Sequence, residues 1–113
     1  MSNCVKIGEG SIVCAGTILT VNIYIGNHVI INLDCTVGHD ANLKDFVTLY
    51  PSCNISGLVQ IEECTEIGTG SQVIQGKNIG GNSIIGAGSV VIKDLGNNIT
   101  AVGTPCAPIK RID

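Results

Sequence analysis

The sequence predicts an all-β fold, a parallel β-helix of about five coils built from hexapeptide repeats, closed by a short C-terminal cap and tail. Three observations predict it. Every sixth residue is Ile, Leu or Val, through Ile7, Val13, Leu19, Ile25, Ile31, Val37, Leu43, Leu49, Ile55, Ile61, Ile67, Val73, Ile79, Ile85 and Val91, with no insertion. The fifth position of each hexad is nearly always small or β-branched, as in Ser11, Thr17, Val29, Cys35, Cys53, Thr65 and Ser83. The chain has no Trp, one Phe and two Tyr in 113 residues, so its interior must be filled by small aliphatic side chains.

A helix returns to one face every 3.6 residues and a strand every 2, and a period of six fits neither. It fits three short strands per turn of a coil, with residue n lying under residue n+18. Both the first and the fifth position of each hexad then point inward. Lys77 is the one fifth position that breaks the pattern, and it is expected near an end of the prism, with its ammonium reaching outward.

The elements follow in order. Val5 already holds an inward phase. Residues 7–42 make two coils with imperfect turns, Thr20 and Asn32 standing where other hexads have Gly. Residues 43–66 are the poorest in glycine, and 67–92 are the most regular. The glycines that follow the aliphatic, at 8, 26, 38, 68, 80 and 86, suit corners that need unusual φ or close backbone approach. The repeat then stops. Residues 1–92 are therefore assigned to the β-helix and 93–113, with two prolines and the Lys110–Arg111 pair, to a cap and tail. A slim prism exposes much surface, and outward apolar residues such as Ile30, Phe46, Leu58 and Ile74 suit packing against further copies.

Composition narrows the function. Net charge is −3, and no Lys/Arg cluster exists to track a phosphate backbone, so nucleic acid is not an expected partner. No apolar run is long enough to span a bilayer and no leader is evident, so a cytoplasmic protein without a membrane partner is expected. The six cysteines form no CxxC or zinc spacing, and Cys35 and Cys53 read as buried small hydrophobes. Two histidines are too few for a three-histidine metal site, so no metal is expected. There is no repeated Thr-x-Thr face of the kind an ice-binding solenoid uses.

The chemistry-bearing pair is His39–Asp40. His39 is the third residue of its hexad, outside both inward columns, so its ring can reach a groove. An imidazole suits proton abstraction near neutral pH, and an adjacent carboxylate can fix its tautomer. His28, at a fourth position, reads as solvated surface.

Hexads of the form aliphatic–Gly–x–x–small–x are similar to those of the left-handed parallel β-helix acyltransferases. The segments VIINLDCTVGHDANLKDF, ISGLVQIEECTEIGTGSQVIQG, IGGNSIIGAGSVVIKD and VGTPCAP resemble, in this order, the sialic acid O-acetyltransferase and UDP-amino-sugar N-acetyltransferase family. The resemblance implies the left hand, acetyl-CoA as co-substrate, and a homotrimer with active sites between subunits. It also implies roles for named residues. His39 matches the general base and Asp40 the acidic neighbour that raises its basicity. Asn32 matches a polar residue near the acceptor. Gly57, Thr69 and Ala87 fall where backbone groups meet the pantetheine arm, and Gly88 follows in the same turn. Lys110 and Arg111 are placed to approach the CoA phosphates. Gly57 lies one coil from His39 and has no side chain to block the thioester. Thr48 stands where the family often carries a second histidine that holds the cofactor, and is taken as the cofactor-binding residue there. Gly38 stands where an acidic residue often precedes the histidine. The family's usual N-terminal nucleotide-sugar domain has no counterpart in these residues.

The expected function is an acetyl-CoA-dependent O- or N-acetyltransferase acting on a sugar or other small hydroxyl or amine acceptor. The alternative is a non-catalytic β-helix that binds or supports a partner without a substrate domain.

Overall fold

The computed structural model describes residues 4–112. It contains no helix among them. The strands form three faces of a prism. Face A stacks β1 (Val5–Ile7), β4 (Ile23–Ile25), β7 (Asn42–Leu43), β10 (Gln60–Ile61) and β13 (Asn78–Ile79). Face B stacks β2 (Ile12–Val13), β5 (Ile30–Ile31), β8 (Thr48–Leu49), β11 (Glu66–Ile67) and β14 (Ile84–Ile85). Face C stacks β3 (Ile18–Leu19), β6 (Thr36–Val37), β9 (Asn54–Ile55), β12 (Gln72–Val73) and β15 (Val90–Val91). The pairing is parallel with an offset of 18, as in Ile25↔Leu43 and Ile31↔Leu49. At the C-terminal end the offset drops to 16, with Ile85 opposite Ala101. There β16 (Ile99–Val102) joins face B, and β17 (Ala107–Arg111) folds back antiparallel on it.

The aliphatic column is the core. From Ile25 to Val91 every member is at most 2% exposed. The second inward column explains its own composition. Where it is Ser or Thr, the hydroxyl donates to a corner carbonyl, mostly of the next coil, as Thr65 Oγ1 does to Gly80 O (2.6 Å) and Ser71 Oγ to Gly86 O (3.0 Å), while Ser89 Oγ donates to Gly86 O of its own coil (2.6 Å). The same oxygen accepts a backbone N–H, Ser83 N to Thr65 Oγ1 at 3.2 Å. Buried polar atoms are tolerated because both ends are satisfied. Lys77 is half-buried beside β13, toward the C-terminal end of face A.

Two expectations are corrected. The column is not inward-buried over its whole length. Ile7 is 49% and Val13 36% exposed, and Leu19 is only partly buried, because no coil lies beneath the first one among the described residues. The glycines after the aliphatic do not supply the unusual φ. That falls two residues later, at Asp34 (58°), Asp40 (59°), Phe46 (61°), Leu58 (63°), Gly70 (74°) and Gly88 (70°) among others. The earlier glycines meet the other need, close approach. A Cβ on Gly38 would lie 2.5 Å from Gly57 N and 2.8 Å from Ser56 C, backbone that cannot move aside.

The interior thiols give a first prediction. Burial raises the thiols of Cys35, Cys53 and Cys106, that of Cys53 from 9.0 to about 11. A disulfide-forming thiol reagent at pH 8 is expected to modify the exposed Cys4 and Cys64 first, and these three only on unfolding. The native state holds the Cys53 proton more tightly, so its stabilising effect is complete below pH 9 and is lost as pH rises toward 11. The loss should be roughly 2–3 kcal/mol, read as the difference between wild type and Cys53→Ala in urea midpoints across that range.

Candidate active site

His39 and Asp40 form the corner that leads from face C to face A. Adjacent side chains in a strand point to opposite faces and cannot meet. Here the left-handed backbone of Asp40 turns its carboxylate back, and Oδ2 lies 3.0 Å from His39 Nδ1. Asp is among the few residues that adopt this conformation readily. Both side chains remain about half exposed, 48% and 46%. In the tautomer with its proton on Nδ1, His39 donates to Asp40 and keeps the Nε2 lone pair available.

Gly57 occupies the same corner one coil on, and its role differs from simple openness. A Cβ there would collide with His39 Nε2 and lie 2.6 Å from Cδ2 and 2.8 Å from Cε1. The missing side chain makes room for the imidazole ring itself. Leu58 N donates to His39 O (2.8 Å) and Gly76 N to Gly57 O (3.0 Å), so the two corners are tied together. The Gly57 N–H, on a buried residue, donates to no group among the described residues. The amides of Thr69 and Ala87 are likewise undonated among them. By contrast, three corners between faces A and B are filled from the next coil, where Asn27, Asp45 and Asn97 side chains accept from Glu9, Asn27 and Gly81, each at 2.8 Å.

The sequence-predicted residues fall into separate groups. His39, Asp40 and Gly57 share the C–A corner. Asn32 and Thr48 lie on face B, Asn32 Nδ2 donating to Leu49 O at 2.9 Å. Thr69, Ala87 and Gly88 form the B–C corner, and a Cβ on Gly88 would meet nothing within 4 Å. Lys110 and Arg111 lie on β17 and line an open hollow of about 450 Å³ with Asn97, Ile99, Pro108 and Ile109. One prism therefore does not bring the histidine to the other candidates. His28 is not merely solvated, since its ring stacks on Phe46 at 5.3 Å and 18°. Among the described residues no group of three His, Cys, Asp or Glu is placed to hold a metal ion, and no helix is long and apolar enough to cross a membrane.

One pair was not singled out from the sequence. Tyr50 Oη donates to Glu66 Oε1 at 2.8 Å on face B. The signal was available, because residue 50 stacks on Asn32 and residue 66 on Thr48 in the 18-residue register.

No family model matches the sequence. Curated relatives do. The chain is 36% identical over 92 residues to a galactoside O-acetyltransferase of Lactococcus lactis, covering 81% of this chain and 44% of that protein. It is 36% identical over 111 residues to a GDP-perosamine N-acetyltransferase of Escherichia coli O157:H7, covering 93% and 50%. Among solved structures, a histidine-to-asparagine variant of Caulobacter crescentus perosamine N-acetyltransferase, in complex with CoA and GDP-perosamine, superposes with TM-score 0.93 at 36% identity over 94% of this chain and 50% of that one. The acetyltransferase domain of PglB from Neisseria gonorrhoeae, in complex with acetyl coenzyme A, gives TM-score 0.92 at 34% identity, covering 93% and 51%. The chain spans about half the length of the curated relatives it matches. Taken with the unbroken repeat and the stacked coils, these similarities show that the chain has the left-handed parallel β-helix fold of the hexapeptide-repeat acetyltransferases it resembles.

Proposed function

We propose that the protein transfers an acetyl group from acetyl-CoA to a hydroxyl or amine of a sugar or similar small acceptor, with His39 as general base. The observation that carries this is the His39–Asp40 pair at 3.0 Å with the undonated Gly57 N–H beside the ring. The acceptor's O or N attacks the thioester carbonyl carbon while His39 Nε2 takes its proton. Asp40 stabilises the imidazolium that results. The Gly57 amide donates to the carbonyl oxygen as it gains negative charge. The C–S bond then breaks, the proton passes from His39 to the departing thiolate, and the products are the acetylated acceptor and CoA.

The remaining assignments belong to the same proposal. Residues 1–92 act as the scaffold and 93–113 as its cap. Thr48, Thr69, Ala87 and Gly88 contact the cofactor arm, Lys110 and Arg111 its phosphates, and Asn32 the acceptor. Since these lie on other faces than His39, the site is completed by a second copy, most simply in a homotrimer with a site between each pair. The exposed Ile30 (39%), Ile74 (41%) and Ile84 (43%) on faces B and C support such packing. A cytoplasmic location matches an acetyl-CoA substrate.

The assay is CoA release from acetyl-CoA with a panel of amino and hydroxy sugars, free and nucleotide-linked. Acceptor-dependent release is expected. A second reading, a binding module without catalysis, is favoured by Thr48 in place of a second histidine. Saturable acetyl-CoA binding in calorimetry, with no release for any acceptor, would decide for that reading.

A further inference from the structure

We infer that a polar grid on face B, Asn32 with Tyr50 and Glu66, beside the cofactor position at Thr48, receives the acceptor, and that Glu66 makes the site favour an amine over a hydroxyl. This rests on the transferase proposal above and goes beyond it by naming the acceptor's reacting group and the residue that selects it.

The register defines the grid. The outward row of face B reads Ile12, Ile30, Thr48, Glu66, Ile84, since Ile12 pairs with Ile30, Ile30 with Thr48, Thr48 with Glu66, and Glu66 with Ile84. The isoleucines are 39–55% exposed. Two polar residues thus interrupt an apolar row at its middle. In the neighbouring column Asn32 lies one coil from Tyr50, between Cys14 and Gly68. A face that only packed against another copy would gain by continuing the isoleucines. The interruption coincides with the two positions, 32 and 48, already assigned to the acceptor and the cofactor.

Glu66 is prepared rather than merely present. The Tyr50 hydroxyl is committed to Oε1 at 2.8 Å, which leaves Oε2 to accept from a ligand. The hydrogen bond to Glu66 and its negative charge hold the Tyr50 phenol above its ordinary 10.0, so it stays a donor. Among the described residues Glu66 forms no ion pair with a Lys or Arg. A carboxylate framed by apolar side chains, once a second copy covers them, requires a positive partner. An amine supplies one as it attacks as the free base, because its nitrogen becomes positive when the bond to the thioester carbon forms and stays so until its proton passes to His39. A hydroxyl binds neutral, so the carboxylate favours the amine.

The test compares one nucleotide-linked sugar carrying either an amino or a hydroxyl group at the reacting carbon. Glu66→Gln is expected to lower kcat/KM for the amine about tenfold or more, the scale of a charge-assisted hydrogen bond, and to leave the hydroxyl substrate within about twofold. Tyr50→Phe should cause a smaller loss in the same direction. Equal losses for both substrates would overturn the assignment, whatever the absolute activity. A binding measurement keeps it separable from catalysis. In the intact isotope-labelled protein, glucosamine should shift the amide signals of residues 48 and 66, glucose should not, and Glu66→Gln should abolish the shift. If no acceptor releases CoA, the transferase proposal fails while this titration still judges the grid, and identical responses to the two sugars reject it.

Discussion

Replacing His39 with alanine is expected to lower acceptor-dependent CoA release by about 100- to 10,000-fold, the usual range for a general base, while the melting temperature stays within a few degrees. The structural cost is small because the ring is about half exposed and, among the described residues, its hydrogen-bonding side-chain partner is Asp40. Leu58 N bonds the His39 carbonyl rather than the side chain. Chemistry and fold are therefore separable at this position. Asp40→Asn should be intermediate, since Asn also suits the left-handed φ of 59° but carries no charge to stabilise the imidazolium. The measurement is a thiol-detection assay with saturating acetyl-CoA beside a thermal melt. Equal rates for wild type and His39→Ala would remove His39 from the mechanism.

The second large effect is on stability and depends on position. Ile61→Ala should cost about 2–5 kcal/mol, because the side chain is 0% exposed between Leu43 and Ile79 and leaves a cavity that the adjacent coils cannot close. Ile7→Ala removes the same atoms from the same repeat position, yet should cost much less, because Ile7 is 49% exposed at the open end of the column. Urea unfolding of the two variants measures the difference. Similar losses would mean that the first coil is covered in solution, by a second copy or by additional polypeptide.

These two results mark what was legible in the residues. The period of six is a strong signal because every member of the column meets the same environment, so the strands, the 18-residue register and most of the core follow by counting. The ends are where counting fails. Nothing in the identity of Ile7 distinguishes it from Ile61, since burial depends on the coil beneath. The glycines show a similar limit. Their positions flagged corners, but composition did not separate a residue that must turn from one that must leave room, and the turning positions are held by Asp34, Asp40, Phe46 and Leu58 as well as by glycine.

The site divides in the same way. The fold, the family resemblance and the prominence of His39–Asp40 are legible in the residues alone, because each depends on a local motif or a period. The stacked coils add that Asp40 turns back onto His39, that Gly57 makes room for the ring, and that Tyr50 bonds Glu66. They also place the cofactor and acceptor candidates on other faces than the histidine. The contacts among them join residues 16 or 18 apart in sequence or neighbours around a left-handed corner, and they exist once the coils stack.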